Sequence, residues 1–309
     1  RMFAGAVHSI PGNRYGDLNQ DNSFVFNGET SADGESGCWA VFDGHGVLGE
    51  YASRIAASTI ELLLTEPNDL LEGQTHEEEM ASAFLYAHQN ICSSYNVAPK
   101  EYDYGPRGQF ELQICDNAAY YVSKENPDER EIVEYGTTVV TAWKVKDQLI
   151  IGWCGDSRAV IGGLTRDGDP SSLTVELLTP VGSHTLRNSE ERARFEEAMK
   201  SNPVLGIEDD GYARIGDTVL DMTRALGHVD LSPQPSVKRL TLEQHHQVLI
   251  LATDGVWDHL SEEDAIKIAL ENEDAQSAAE NIITVACALN RDQKDQDNAT
   301  VIVVFFDLE

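Results

Sequence analysis

The segment Cys38–Gly46 reads CWAVFDGHG, an apolar run that ends on Asp43 and continues into a glycine-rich turn. An apolar run of this kind predicts a short strand. Beyond the turn, residues 46–66 carry apolar side chains such as Leu48 and Ala52 at a helical spacing. The chain therefore passes from a strand through an Asp-Gly turn into an amphipathic helix.

Strand-like and helix-like segments come in blocks on either side of this transition. Before it, FAGAVHSI and SFVFN predict two further strands, and after it Thr75-His-Glu-Glu78 resembles a capping box that opens a second helix. Residues 136–179 return to strand patterns, with a turn predicted at Asp167-Gly168. The later segments are a short helix capped by Asn188, two strands, a helix capped by Ser261, a helix within 274–291, and a closing strand, TVIVVFFDL.

The order of these blocks predicts an α+β fold. It shows no regular β-α-β alternation, which argues against a doubly wound parallel sheet. We expect an antiparallel β-sandwich of two sheets flanked by pairs of antiparallel helices, in a four-layer α-β-β-α arrangement. No internal repeat or low-complexity linker divides the chain, so residues 1–309 are expected to form a single domain.

Residues 99–135 differ from these blocks because they are polar, acidic and irregular in pattern. They nevertheless hold five of the ten tyrosines, which are Tyr102, Tyr104, Tyr120, Tyr121 and Tyr135. We interpret the segment as a surface insertion whose tyrosines pack it against the domain. A partner-binding surface is the alternative.

The charge of the chain excludes several classes of partner. Lys and Arg number 22 and Asp and Glu number 53, which gives a net charge of −31 over 309 residues. Nucleic acid and anionic lipid both require a positive surface, so neither is an expected partner. No apolar run is long enough for a membrane span. Five scattered cysteines without a C-x-x-C pair fit a reducing, intracellular compartment, cytoplasmic or nuclear, although the start at Arg1 leaves room for a trimmed targeting segment.

Four aspartates lie at the ends of apolar strands: Asp43 and Asp254 follow theirs, and Asp21 and Asp297 precede theirs. In an antiparallel arrangement the C-terminal end of one strand lies beside the N-terminal end of its neighbour, so all four carboxylates are expected to meet at one end of the sandwich. Anions this close repel one another strongly unless a cation binds them. Carboxylates without cysteine favour Mg²⁺ or Mn²⁺ over Ca²⁺, and Gly44 can offer its carbonyl as a further ligand.

Six motifs stand in a characteristic order along nearly the whole chain. They are VFDGHG (Val41–Gly46), YGTTVV (Tyr135–Val140), WCGDSRAVI (Trp153–Ile161), TRALG (Thr223–Gly227), LATDGVWDHLS (Leu251–Ser261) and QDNATVIVV (Gln296–Val304). In this order they resemble the type 2C metal-dependent Ser/Thr protein phosphatase family. The family fold, a two-sheet β-sandwich flanked by helix pairs, agrees with the order of strands and helices.

The resemblance implies a single catalytic domain with a centre of two Mg²⁺ or Mn²⁺ ions and a weaker third. Asp43 would bridge the two ions, with the Gly44 carbonyl on one of them, and Asp254 and Asp297 would complete the other site. By the same resemblance, Asp21 would hold metal-bound water and Asp156 would join Asp254 in the third site. Such a centre lowers the pKa of a water and absorbs phosphoryl charge.

The resemblance also implies roles for three side chains outside the metal ligands. His45 would be the general acid, because a serine or threonine alkoxide is a poor leaving group that needs a proton. Arg14 is the candidate for gripping phosphate, since a guanidinium matches phosphate geometry. It precedes Asp21 by seven residues where the family has five, so its loop must bulge. Asn298 would orient local waters.

Three departures from the family pattern concern the surroundings of the metals. Gln20 stands where the family often has Glu, which predicts that one metal-linked site is weaker. The D-H-K-P motif is missing from Leu177–Asn188, and His228 follows TRALG in place of the usual Asp. The last two departures fall at about residues 180–230, which in the family form a flap beside the active site.

The function that we expect is hydrolysis of phosphoserine and phosphothreonine in phosphorylated protein substrates by a monomeric enzyme. A catalytically weak phosphatase-like binding or scaffold protein is the alternative from another class, and its sign would be loss of the metal acids. Asp43, Asp254 and Asp297 are all present, which argues against it. A phosphatase for small phosphoesters is a third reading.

Overall fold

The fold is seen in a computed structural model that describes residues 3–31, 34–115, 118–166, 169–291 and 295–307. The turn predicted at Asp167-Gly168 lies outside these residues. The helices are α1 Gly49–Thr65, α2 His76–Ser94, α3 Ser189–Met199, α4 Asp254–Trp257, α5 Glu262–Leu270 and α6 Ala275–Leu289. The strands are β1 Phe3–Ile10, β2 Asn22–Ser31, β3 Gly34–Phe42, β4 Gly44–His45, β5 Glu101–Asp103, β6 Gln109–Cys115, β7 Ala118–Ser123, β8 Arg130–Ile132, β9 Gly136–Thr137, β10 Val139–Val145, β11 Gln148–Cys154, β12 Arg158–Leu164, β13 Leu173–Leu177, β14 Leu205–Ile207, β15 Ala213–Ile215, β16 Thr218–Leu220, β17 Ser236–Thr241, β18 Val248–Ala252 and β19 Ala299–Phe306.

Two five-stranded antiparallel sheets carry the core, which confirms the predicted mixed fold with antiparallel sheets. Sheet I has the order β1-β19-β18-β12-β13, and sheet II has the order β17-β11-β10-β3-β2. One apolar cluster joins them, with Trp39 and Val140 from sheet II against Leu251 and Ile302 from sheet I. Removal of this apolar surface from water holds the two sheets together.

The helices cover the other sides of the two sheets. In β3, Ala40 and Phe42 belong to the cluster with α1 and α2, whereas the alternate residues Trp39 and Val41 belong to the cluster between the sheets. This alternation is the two-residue period of a strand that is buried on both faces. Helices α5 and α6 pack in the same way on sheet I. No helix within the described residues is both long and apolar enough to cross a membrane.

The insertion at 99–135 is more regular than its sequence suggested. Strands β5 to β8 form a four-stranded antiparallel sheet, here called the accessory sheet. Its tyrosines attach it to the domain: Tyr104 stacks on Tyr15 with ring centroids 5.9 Å apart, and the Tyr102 hydroxyl donates to Glu50 at 3.0 Å. The irregular pattern was misleading because two of its strands span only three residues, too few to show a period.

Residues 180–230 hold α3 and a small three-stranded sheet of β14, β15 and β16. A buried carboxylate, Glu191 on α3, fixes this region by pairing with Arg194 at 2.6 Å and Arg224 at 2.7 Å. Burial alone would raise the pKa of Glu191, but these hydrogen bonds outweigh it and hold the pKa at about 2.

Candidate active site

The strand register brings the four predicted aspartates to one end of the sandwich. Asn22 pairs with Phe42 across β2 and β3, so Asp21 and Asp43 follow side by side. Ala252 pairs with Val301 across β18 and β19, and the Thr253 amide donates to the Thr300 carbonyl at 3.1 Å. Asp254 and Asp297 therefore lie just beyond this pair of strands. Antiparallel polarity produces the convergence, as the sequence predicted.

Electrostatics define a cluster of five carboxyls, here called the acid cluster: Asp21, Asp43, Asp156, Asp254 and Asp297. Burial raises the pKa of Asp43 well above its usual range, and the charges of Asp254, Asp21, Asp297 and Asp156 add to this. Burial likewise raises the pKa of Asp254 well above its usual range, with Asp156 and Asp297 next in effect. The pKa is raised by burial to about 7 at Asp21 and about 6 at Asp156. Burial also raises the pKa of Asp297.

Two oxygens of the acid cluster lack the partners that buried carboxylates require. Asp21 accepts a hydrogen bond from the Thr253 hydroxyl at its Oδ2, 2.9 Å away. Its Oδ1 and the Oδ1 of Asp156 are enclosed and have no hydrogen-bond partner among the described residues. Such oxygens are costly unless a proton or a cation satisfies them. The donor set is all oxygen, which fits a hard divalent cation.

The acid cluster is not a closed cage. Among the residues that the structure describes, no three His, Cys, Asp or Glu side chains are arranged closely enough to hold an ion by themselves. Gly44 belongs to the same end of the fold. A Cβ on Gly44 would lie 2.3 Å from the Gly49 carbonyl oxygen, so only glycine allows the chain to pass here.

Arg14 reaches the acid cluster from a loop before β2. Its guanidinium pairs with Asp297, and its Nε donates to Asp295 at 2.9 Å. Asn298 fixes this loop, because its amide donates to the carbonyls of Pro11 at 2.5 Å and Leu18 at 3.1 Å. The Asn298 side chain is thus engaged with the backbone, and its role in orienting waters stays a prediction.

His45 is held at the edge of the site by a second histidine. Its Nε2 lies 2.8 Å from Nε2 of His228, whose Nδ1 lies 2.9 Å from Glu134 Oε1. Burial, and next the proximity of His228, lower the pKa of His45 to about 3, so this ring is neutral at pH 7. The departure from the family at residue 228 therefore touches the candidate general acid directly.

The Gln20 side chain is hydrogen-bonded to protein groups beside the acid cluster. Its Nε2 donates to the Gly46 carbonyl at 2.8 Å, and its amide also hydrogen-bonds the Glu50 side chain. Its backbone amide donates to Asn298 at 2.8 Å. A neutral amide suits this place because it can donate where a carboxylate could only accept.

Sequence reasoning missed two acids that face the cluster. Asp258 and Asp221 line a cleft of about 100 Å³ together with Asp156, Asp254 and Arg187. Asp258 follows Asp254 by four positions on one helical turn, a spacing that could have marked it. No spacing in the sequence marked Asp221. In the cleft, its carboxylate forms an ion pair with Arg187, 2.6 Å away.

The comparisons with known proteins agree with this geometry. The family model for protein phosphatase 2C matches residues 107–298. The chain is 28% identical to "Probable protein phosphatase 2C 72" of Arabidopsis thaliana, covering 97% of this chain and 85% of that protein. The solved serine-threonine phosphatase 2C of Toxoplasma gondii has the same fold, with a TM-score of 0.69 at 21% identity, covering 99% of this chain and 95% of that one. Serine/threonine phosphatase Stp1 of Staphylococcus aureus gives a TM-score of 0.63 at 16% identity, covering 100% and 96%. From the match to the family model, which spans more than half of the sequence, the chain belongs to the protein phosphatase 2C family.

Proposed function

We propose that this chain is a metal-dependent phosphatase that hydrolyses phosphoserine and phosphothreonine in proteins. The observation that carries the proposal is the acid cluster, in which five aspartates share one end of the sandwich with raised pKa values. Such repulsion costs stability and persists at functional sites. The likeness to named phosphatases supports the same reading.

Two Mg²⁺ or Mn²⁺ ions, with a weaker third, are the proposed cofactors. Asp43, the Gly44 carbonyl, Asp254 and Asp297 would hold the first two, and Asp21 would bind through water. Asp156 with Asp254 would serve the third. The orphaned oxygens of Asp21 and Asp156 support this assignment because a cation would satisfy both. When bound, such ions activate water and neutralise phosphoryl charge.

The side chains around the cluster have distinct tasks in this proposal. Arg14 would exchange its contact with Asp297 for the phosphoryl oxygens of the substrate, because a guanidinium matches phosphate as well as carboxylate. His45 would give a proton to the departing serine or threonine oxygen. The charge of −31 favours phosphorylated segments with basic flanks through long-range attraction. We further propose that the chain acts as a monomeric, single catalytic domain inside the cell.

The test is release of phosphate from a phosphothreonine peptide in Mn²⁺, with and without excess EDTA. We expect turnover that is lost in EDTA and restored by Mn²⁺. Asp254→Asn is the matched control for metal binding by the acid cluster, because it removes one charge without changing the shape of the site. A chain that binds the peptide but never turns it over would be a phosphatase-like binding protein. EDTA-resistant turnover would contradict the metal assignment.

A further inference from the structure

We propose that His184 is a positioning residue through which residues 180–230, here called the flap segment, fix the turn that carries Asp156 and so set the affinity of the weaker metal site. This inference rests on the proposed function, because it concerns the ion assigned there to Asp156 and Asp254. It is carried by the hydrogen bond from the backbone amide of Gly155 to the His184 ring.

The backbone of His184 is tied to the rest of the flap segment. Its carbonyl accepts from the Thr223 amide at 2.8 Å, and the next residue, Thr185, pairs with Met222 in a short antiparallel bridge. The ring is buried and stacks on Trp153 of β11, with centroids 6.0 Å apart and planes inclined by 19°. The backbone of His184 therefore follows the flap segment, whereas its ring packs against the end of sheet II.

Both nitrogens of the His184 ring have protein partners. Nδ1 lies 3.1 Å from the backbone nitrogen of Gly155, which can only donate, so Nδ1 accepts. Burial, and next the charge of Arg224, lower the pKa of His184 to about 3, so the ring is neutral at pH 7. In this neutral ring Nε2 carries the proton and donates to the Ser236 hydroxyl, 2.9 Å away.

The turn at residues 155–157 is also held from sheet II. Gly155 has a φ of +104°, and a Cβ on it would lie 2.6 Å from Cβ of Thr138, so the turn passes directly over this side chain. The Ser157 hydroxyl lies 2.7 Å from Oγ1 of Thr138. Thr138 therefore supports the turn from the sheet, and His184 holds its first amide from the flap segment.

The carboxyl of Asp156 depends on this turn for its direction. It accepts from its own backbone amide, and its Oδ1 is enclosed without a partner among the described residues. The backbone of the turn therefore orients it. Without an acceptor at His184, the Gly155 amide would be buried and unsatisfied, and the turn would move to satisfy it. Such a shift changes the separation of Asp156 from Asp254 and weakens the binding of an ion that both would share.

The test compares His184→Gln with His184→Asn in the full chain. Asparagine places its oxygen close to the Nδ1 position and can still accept from Gly155, whereas glutamine reaches the Nε2 position and keeps only the bond to Ser236. Mn²⁺ binding without substrate is measured by calorimetry, and Asp156→Asn identifies the binding event that needs Asp156. We expect this event to weaken about 10-fold in His184→Gln and less than about 3-fold in His184→Asn. In EDTA, the Gly155 amide should exchange with deuterium faster in the Gln variant only.

His246→Gln is the matched control for loss of a buried histidine. His246 is also buried, and its Nδ1 accepts from the Glu243 amide at 3.0 Å between β17 and β18. The control should lower the melting temperature in EDTA, as His184→Gln does, and leave Mn²⁺ binding unchanged. Equal losses of Mn²⁺ affinity in His184→Asn and His184→Gln, or no loss in His184→Gln, would overturn the inference.

Phosphopeptide turnover separates this inference from the proposed function. Saturating Mn²⁺ should restore kcat of His184→Gln on a phosphothreonine peptide, with KM for the peptide unchanged, and a kcat that stays low would overturn the inference. A wild type that binds Mn²⁺ through Asp156 but never hydrolyses the peptide would refute the proposed function and leave the positioning intact. If Asp156→Asn changes no Mn²⁺ binding event, the inference is overturned whatever the activity.

Discussion

Replacement of Asp21 by Asn should stabilise the metal-free protein at high pH. Asp21 is buried, with Oδ2 bonded to Thr253 and Oδ1 without a partner among the described residues. Burial, opposed by hydrogen bonds from Thr300 and Thr253 and assisted by Asp297, raises its pKa from 3.8 to about 7. Asparagine can still accept from Thr253, and its amide can donate toward the neighbouring acids.

The size and sign of the effect on stability follow from this rise in the pKa of Asp21. Between pH 4 and 7 the folded state holds a proton on Asp21 that the unfolded state has released, so the free energy of unfolding falls as pH rises. Each pKa unit corresponds to about 1.4 kcal/mol, which gives about 4 kcal/mol at most by pH 8. Because neighbouring carboxyls share the proton, we expect wild type to lose roughly 2–4 kcal/mol in its free energy of unfolding by pH 8. Asp21→Asn has no carboxyl to titrate at this position, so its free energy of unfolding should not fall in this way and should equal that of wild type near pH 4.

Thermal unfolding in EDTA from pH 4 to 8 measures the difference. We expect the melting temperature of Asp21→Asn to exceed that of wild type by roughly 4–8 °C at pH 8, with the gap closing near pH 4. Asp209→Asn, at an exposed aspartate, is the control for loss of one negative charge. Parallel pH curves for wild type and Asp21→Asn would refute the reasoning, since they would show that the cluster does not hold this carboxyl in its protonated form.

Four further substitutions test individual side chains of the site. Asp254→Ala and Asp297→Ala should each abolish phosphopeptide turnover while the melting temperature in EDTA stays equal or rises, because one repelling charge is gone; a large fall would mark these acids as structural. Gln20→Glu should lower the free energy of unfolding by roughly 1–3 kcal/mol, because it replaces the donor to the Gly46 carbonyl with a second carboxylate beside Glu50. An unchanged melting temperature would show that the amide is not needed. His45→Gln should reduce kcat about 100- to 10,000-fold on a phosphothreonine peptide and far less on an activated aryl phosphate, and equal losses would mean that His45 positions the loop.

The sequence predicted those parts of the structure that depend on local patterns and strand polarity. Both halves of the capping box of α2 form, with Thr75 and Glu78 bonded to each other's backbone amides. The meeting of Asp21 with Asp43 also follows, because antiparallel pairing leaves no other arrangement for strands of these polarities.

The parts that could not be predicted depend on contacts between distant segments. Glu134, His228 and His45 come from three separate stretches, and no spacing in the sequence relates them. The hydrogen bonds of the Gln20 side chain to the Gly46 carbonyl and to Glu50 likewise had no signal in the sequence. In each case the tertiary fold decides which buried polar groups need a hydrogen-bond partner.

The stacking of Tyr15 on Tyr104 has a consequence for local opening of the molecule. Tyr15 neighbours Arg14 in the loop at the acid cluster, whereas Tyr104 lies in the connection between β5 and β6 of the accessory sheet, where Arg107 covers the same ring at 4.7 Å. Segments joined by such packing open as one cooperative unit rather than separately. Backbone amides of the Arg14 loop should therefore exchange hydrogen for deuterium in step with those of β5 and β6. Tyr104→Ala should speed exchange in both segments together, so that a sheet far away in the sequence sets how often the Arg14 loop opens.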